Sequence, residues 1–372
     1  MRRLAPRIGL LDQPAERKVH RRPTPLGGGL GIWAGVVLPL AAAQLAAWWL
    51  MRHPQHGKWL PAELLAHVPG AVYRAGQMWA LIAGGTILTV MGLLDDYRNL
   101  PWPPRLLLQT FVATGLVAAG FRATLFVPVP VLTSVVTVLW FLTLINALNF
   151  LDNMDGLTAG IGSIASAVFA TIMLTCLDEP RWLVGGTLLL LTGATAGFLW
   201  HNWPPARIFM GDCGSHFVGL MLAAMTVQGT FYESTPATDT GRHVVLAPLC
   251  VLAVPLYDFC SVIWIRLREG RSPFHPDKSH FSHRLVELGL SPRNAVMTIH
   301  LATLTTGLAG ILLYRVPDWT SALLIGALVL CVLAIVAILE TAPRLARRSD
   351  DEVPPQSATP CSGEHDQPPA SP

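Results

Sequence analysis

"VLTSVVTVLWFLTLINALNFLDNMDG", residues 131–156, decides the fold. It opens as a run of about twenty mostly apolar residues, the length a helix needs to cross a hydrocarbon core. It closes with three asparagines and two aspartates. Charge beside a membrane is costly, so the cluster needs a reason. Outward from it, ten apolar runs fill the chain, near 27–50, 77–94, 106–120, 130–149, 157–177, 182–200, 213–231, 244–266, 294–314 and 319–339. The third is short for a span. The 372 residues are 52% hydrophobic and 13% charged, where a soluble domain carries about 25% charged residues. This composition predicts an all-α integral membrane protein with about ten transmembrane helices.

The segments between the runs set domains and orientation. Residues 1–26 read as a cytoplasmic segment, 27–340 as the multi-spanning domain, and 341–372 as a polar, Pro-rich tail expected to be disordered. No secretory signal is visible, because the first apolar run begins at Gly27 behind a basic segment with no cleavage pattern. With the N-terminus inside and the helices alternating, 19 of the 26 lysines and arginines fall on the inner side, as the positive-inside bias requires. Five polar clusters then share the inner face: 10–29, 93–109, 146–157, 201–215 and 272–285. The six cysteines are scattered without a C-x-x-C pair, and five lie in apolar runs, where small buried residues are expected. Nothing in the +3 net charge points to nucleic acid.

Each cluster has a plain and a chemical reading. Asp95 and Asp96 end the second run, where a helix dipole is negative and two carboxylates are badly placed. They form either a solvated helix end or a site compensated by a metal or by an arginine such as Arg98 or Arg105. Asn146, Asn149, Asp152 and Asp155 recur every three residues and share a face if the helix continues through them. Oxygen ligands in that pattern suit Mg²⁺; a chain of caps and Asx-turns explains one or two of them. "FMGDCGSHFVG" (209–219) opens the seventh run. Asp212 and Ser215 could be N-caps, while Gly211 and Gly214 bare backbone N–H groups suited to phosphate. "FHPDKSHFSHRL" (274–285) gathers His275, Asp277, Lys278, His280, His283 and Arg284. A zinc site or a merely basic loop is conceivable there, and phosphate recognition fits better. Arg17, Lys18, His20, Arg21 and Arg22 could hold lipid head groups or one anionic substrate. Asp258 lies inside the eighth apolar run, about two turns from Arg266, and an ionisable residue there is a functional candidate. Acids for Mg²⁺ and basic groups for phosphates meet at one membrane edge, where a soluble phosphorylated donor and a lipid phosphate could react. Phosphoryl transfer needs chiefly positioning and charge neutralisation.

Residues 10–340 resemble the polyprenyl-phosphate N-acetylhexosamine-1-phosphate transferases of glycosyltransferase family 4. These include the WecA/TagO-like enzymes and the phospho-MurNAc-pentapeptide translocases. The resemblance rests on Asp12, Pro14, Arg17, Lys18, His20, Pro23, Pro25, Gly28 and Gly29, on Asp95–Asp96 with Arg105 and Gln109, and on the N-x-x-N-x-x-D-x-x-D-G-L and F-M-G-D-x-G-S motifs. It implies catalytic cytoplasmic loops on the helical bundle, in a bacterial cytoplasmic (inner) membrane. The implied reaction moves an N-acetylhexosamine-1-phosphate, by this reading GlcNAc-1-phosphate, from a UDP-N-acetylhexosamine to undecaprenyl phosphate. UMP leaves, and a lipid-linked cell-envelope glycan begins. Mg²⁺ is the implied cofactor, with Mn²⁺ as a substitute, and a homodimer is compatible with the resemblance. Asp212 would be the main metal ligand, with Asn149 and Asp152 beside it. Asp95 and Asp96 would hold or deprotonate the lipid phosphate, with Asp152 and Asp155 as further catalytic acids. Arg17, Lys18, His20, Arg105, Asn146, Gly214 and Ser215 would bind substrate. Asn202 and Phe209 would lie near the uridine, and His280, His283 and Arg284 would contact the donor phosphates or sugar.

The chain departs from the family pattern in places. Ser282 stands where a histidine is common, Asn153 where glycine is usual, and Arg105 where lysine is common. Only eleven residues precede Asp12, so a helix usual before the first motif is expected to be absent or lost through a misplaced start. Two rivals differ in kind. An intramembrane prenyltransferase should carry two D-x-x-x-D-type motifs, and "DDYRN" has no later acid. A transporter should place acids at mid-membrane, where Asp258 is the one feature in its favour.

Overall fold

An apolar segment in lipid pairs its backbone groups internally by forming a helix. The computed structural model describes residues 1–12, 23–58, 60–123, 129–230, 242–273 and 279–351, with 341–351 by backbone alone. The helices are α1 (Gly29–Arg52), α2 (Ala62–Tyr73), α3 (Ala75–Arg98), α4 (Trp102–Ala118), α5 (Pro130–Leu151), α6 (Leu157–Thr175) and α7 (Trp182–Asn202). They continue as α8 (Asp212–Thr230), α9 (Ala247–Val251), α10 (Ala253–Arg268), α11 (Phe281–Glu287), α12 (Pro292–Leu313) and α13 (Trp319–Asp351). All ten expected runs are helical. Among the described residues, seven helices are long and apolar enough to cross a membrane: α1, α3, α5, α6, α7, α12 and α13 up to Glu340. The segment Arg242–Val251 and α10 meet at 68° and make an eighth span if counted as one. Pro255, one turn into α10, lacks the N–H that a straight helix would use there.

The two remaining runs are helices of a different kind. α4 has 17 residues. α8 is buried from Cys213 to Gly229, inside a ring of α1, α3, α5, α6 and α7. A helix with no lipid-facing side needs no uniform apolar surface, so α8 carries His216 and Gln228. Glycine permits the close approach. A Cβ on Gly92 of α3 would stand 2.4 Å from the Asp212 backbone, and one on Gly219 would stand 2.7 Å from Ile145 Cα on α5. α13 lies at the other extreme. Its Leu323, Leu324, Leu328 and Leu330 are mostly exposed, as a lipid-facing helix requires. It runs past residue 341, where composition placed the start of the tail; residues 352–372 lie outside the described residues.

A short ribbon brings the N-terminal segment to the bundle. Leu11–Asp12 (β1) pairs antiparallel with Thr24–Pro25 (β2). Phe209 N–H donates to Pro25 O at 2.8 Å, and the Gly28 and Gly29 amides donate to Phe209 O and Met210 O at 2.9 and 3.0 Å. Asp12 is thereby held beside the strand-like approach to α8. Arg17, Lys18, His20, Arg21 and Arg22 lie outside the described residues, as do His275, Asp277 and Lys278.

Candidate active site

The last turns of α3 and α5 meet the first turn of α8, and their polar residues interlock there. Asp95 is almost fully buried. Its Oδ1 accepts from Leu100 N–H at 2.7 Å and its Oδ2 from Arg105 at 2.5 Å. The same Arg105 nitrogen lies 3.3 Å from Asp212 Oδ2, so one guanidinium bridges the carboxylates of α3 and α8. Asn149 Nδ2 donates to Asp212 Oδ1 at 2.8 Å and to Ser215 Oγ at 3.1 Å. Asn146 Nδ2 donates to Gln109 Oε1 at 2.7 Å and backs this row from α5.

Asp96 has a partner that the sequence reading did not consider. Its Oδ1 accepts from Asp212 N–H at 2.8 Å and its Oδ2 from Cys213 N–H at 3.4 Å. The carboxylate at the negative end of α3 caps the positive end of α8, which resolves the misplacement by joining opposite helix ends. Gly211 makes this possible. Its φ is +73°, and a Cβ there would press to 2.4 Å from Asp96 Oδ2. The expectation of an open phosphate cradle at this terminus is therefore corrected. Asp96 takes the first two amides, and the Gly214 and Ser215 amides turn back onto Gly211 O at 3.0 and 3.1 Å. Gly214 packs against Gly29, where a Cβ would come within 2.7 Å of the Gly29 Cα. It is a packing glycine.

Asp152 closes the cluster from the loop after α5. Its carboxyl is pushed up from 3.8 to about 8, first by desolvation and then by the negative charge of Asp212. Asp95 and Asp212 thus share Arg105, while Asp96 and Asp152 stand near Asp212. Such a gathering of carboxyl groups is one that a divalent cation would relieve. Among the described residues no group of three or more His, Cys, Asp or Glu side chains could hold a metal ion; Mg²⁺ is usually held by one or two carboxylates together with substrate phosphates and waters.

Other expected residues take supporting places. Asp155 Oδ2 accepts from Ala206 N–H at 2.8 Å and shapes the 203–206 loop. Asn202 is buried, and both ends of its amide are engaged: Oδ1 accepts from Gly156 N–H and Nδ2 donates to Ile208 O, each at 2.9 Å. It staples two loops. Phe209 is half-buried. Arg284 is tied to the bundle from two sides. It is buried, donating to Ser261 Oγ at 2.9 Å and pairing with Glu340 on α13 at 3.1 Å, so it anchors α11 to the bundle. His280 and His283 do lie together, with ring centroids 6.4 Å apart. Asp258 pairs with His280. Two of the departures from the family pattern touch each other: Ser282 Oγ donates to Asn153 Oδ1 at 2.6 Å.

An apolar groove of about 620 Å³ runs between α3 and α4, walled by Ile87, Val90, Met91, Leu94 and Leu108, and Arg105 lies in its lining. Hydrocarbon-compatible surface therefore leads directly to the Arg105–Asp95–Asp212 chain.

Comparison with known proteins agrees with this arrangement. Residues 78–230 match the family model described as glycosyl transferase family 4. The chain is 31% identical to the probable undecaprenyl-phosphate N-acetylglucosaminyl 1-phosphate transferase of Bacillus subtilis, over 91% of this chain and 87% of the relative. It is 34% identical to the decaprenyl-phosphate N-acetylglucosaminephosphotransferase of Mycobacterium tuberculosis, over 95% and 87%. It is 27% identical to the undecaprenyl-phosphate alpha-N-acetylglucosaminyl 1-phosphate transferase of Escherichia coli, over 86% and 81%. With its helices, its acidic cluster and its motifs in the same order, the chain belongs to glycosyl transferase family 4, among the polyprenyl-phosphate N-acetylhexosamine-1-phosphate transferases.

Proposed function

We propose that this membrane enzyme transfers N-acetylglucosamine-1-phosphate from UDP-N-acetylglucosamine to undecaprenyl phosphate at the cytoplasmic face of a bacterial inner membrane. An oxygen of the lipid phosphate bonds to the sugar-bearing phosphorus of the donor. The bond from that phosphorus to the bridging oxygen breaks, and UMP leaves with its electron pair. The observation that carries this reading is Arg105, which lies in the lining of an apolar groove and touches both Asp95 and Asp212.

Arg105 supplies a fixed cation for the acceptor phosphate while the groove receives the first isoprene units. Asp95 holds the Arg105 guanidinium in place, and Asp96 fixes the start of α8, so the Asp212 carboxylate is positioned by backbone rather than by a mobile side chain. Asp212, Asp152 and Asn149 would hold Mg²⁺, or Mn²⁺ in its place. When bound, that ion offsets the negative charge of two phosphates brought into contact. The phosphate of the acceptor, with a second pKa of about 6, is already mostly dianionic at neutral pH. Positioning therefore matters more than proton removal by Asp95.

The test is mass spectrometry of the lipid product formed by purified protein with undecaprenyl phosphate, Mg²⁺ and a panel of UDP-sugars. A lipid pyrophosphate carrying N-acetylglucosamine is expected. A product with another amino sugar changes the donor alone, and no lipid product with any donor overturns the proposal.

A further inference from the structure

Asp258 has no solvent exposure and sits in α10 beyond the bend, in a span where a carboxylate needs a purpose. Its two oxygens serve adjacent residues of the histidine segment. Oδ1 accepts from Phe281 N–H at 2.7 Å, and Oδ2 lies 3.0 Å from His280 Nδ1. The His280 ring stands edge-on to Phe150 at 5.9 Å, next in the chain to Asn149. Ser282 binds Asn153, next to Asp152. The ring is therefore clamped from α10 on one side and packed against Phe150 of α5 on the other.

A carboxylate can only accept, so the nitrogen facing it carries hydrogen. That fixes the tautomer and leaves Nε2 for a ligand. We infer that Asp258 is a positioning residue of the transfer reaction: it holds His280 with hydrogen on Nδ1 and so presents Nε2 as an acceptor to a hydroxyl of the donor's sugar. This rests on the transferase reading for the identity of the ligand, and on the geometry alone for the pairing. The bland alternative is that Asp258 merely caps α11 through Phe281 N–H.

Asp258→Asn separates the two. The amide oxygen can still cap Phe281, but its NH₂ then faces Nδ1 and forces the hydrogen onto Nε2. Two measurements decide. Nitrogen-15 spectra of histidine-labelled wild-type protein, with the His280 signal assigned by its loss in His280→Gln, should show hydrogen on Nδ1. A neutral ring with hydrogen on Nε2 overturns the inference, and this arm needs neither a folded variant nor activity. In transfer assays Asp258→Asn should lower kcat/KM by about tenfold or more, the effect typical of removing an orienting partner from a histidine. The Asp258→Asn/His280→Ala pair should be no worse than His280→Ala. Wild-type rates in Asp258→Asn, or a further tenfold loss in the double variant, overturns it. Absence of transfer by wild type with every donor sinks the transferase reading instead, and the spectra still decide the pairing.

Discussion

Asp152 gives a direct handle on whether a divalent cation belongs in the acidic cluster. Burial and the charge of Asp212 push its carboxyl up from 3.8 to about 8. Without a cation, a group of that pKa is ionised in about 1% of molecules at pH 6, about 10% at pH 7 and about half at pH 8. A Mg²⁺ ion that uses Asp152 must displace the proton. Apparent Mg²⁺ affinity should therefore rise by up to about tenfold per pH unit between pH 6 and 8, and level off above. The same sign governs stability. Between 3.8 and about 8 the unfolded chain holds Asp152 ionised and the folded chain holds it protonated. Folding takes up a proton in that window, so the stability of cation-free protein falls as pH rises through it and flattens above. The assay is thermal unfolding of detergent-solubilised protein during Mg²⁺ titration at several pH values, with Asp152→Asn as control. Mg²⁺ should raise Tm more at pH 8 than at pH 6, and the control should bind weakly with no such dependence. A Mg²⁺ midpoint that ignores pH in wild type, or shifts equally in Asp152→Asn, refutes the reasoning.

Three further outcomes are expected. Arg105→Met leaves the buried Asp95 carboxylate without its cation and should lower stability by about 1–3 kcal/mol and transfer by about a hundredfold; denaturation and rate assays that find more than half of the wild-type rate contradict the bridging role. Val90→Trp fills the α3–α4 groove and should raise KM for the lipid phosphate while leaving KM for the UDP-sugar unchanged; an unchanged lipid KM removes the groove from the acceptor site. Asn202→Ala orphans Gly156 N–H and Ile208 O and should lower Tm, at a cost of about 1–3 kcal/mol; normal stability would contradict the stapling role.

The sequence carried the architecture because apolar length alone marks a helix in lipid. All ten runs are helical, and Asp95, Asn149, Asp152 and Asp212 meet as their motifs implied. The misreadings share one cause. Asp96 and the amide it accepts from are 116 residues apart, and no local pattern says that the end of α3 meets the start of α8. The glycines of 211–214 looked like a phosphate cradle because a bare helix terminus and one capped by a distant carboxylate have the same local sequence. No local pattern shows that Arg284 pairs with Glu340 on α13, or that both partners of the Asn202 amide are backbone groups. Asp258 was legible as an anomaly, an acid in an apolar run, although its partner His280 was not.

The central claim is that the acidic cluster joins a lipid phosphate to a sugar-nucleotide donor. UMP release from UDP-N-acetylglucosamine, measured with purified protein and Mg²⁺ with and without undecaprenyl phosphate, tests it most directly. The account predicts release only when the lipid is supplied, in one-to-one ratio with a lipid-linked N-acetylglucosamine pyrophosphate. Equal release without lipid would mark a hydrolase and contradict it.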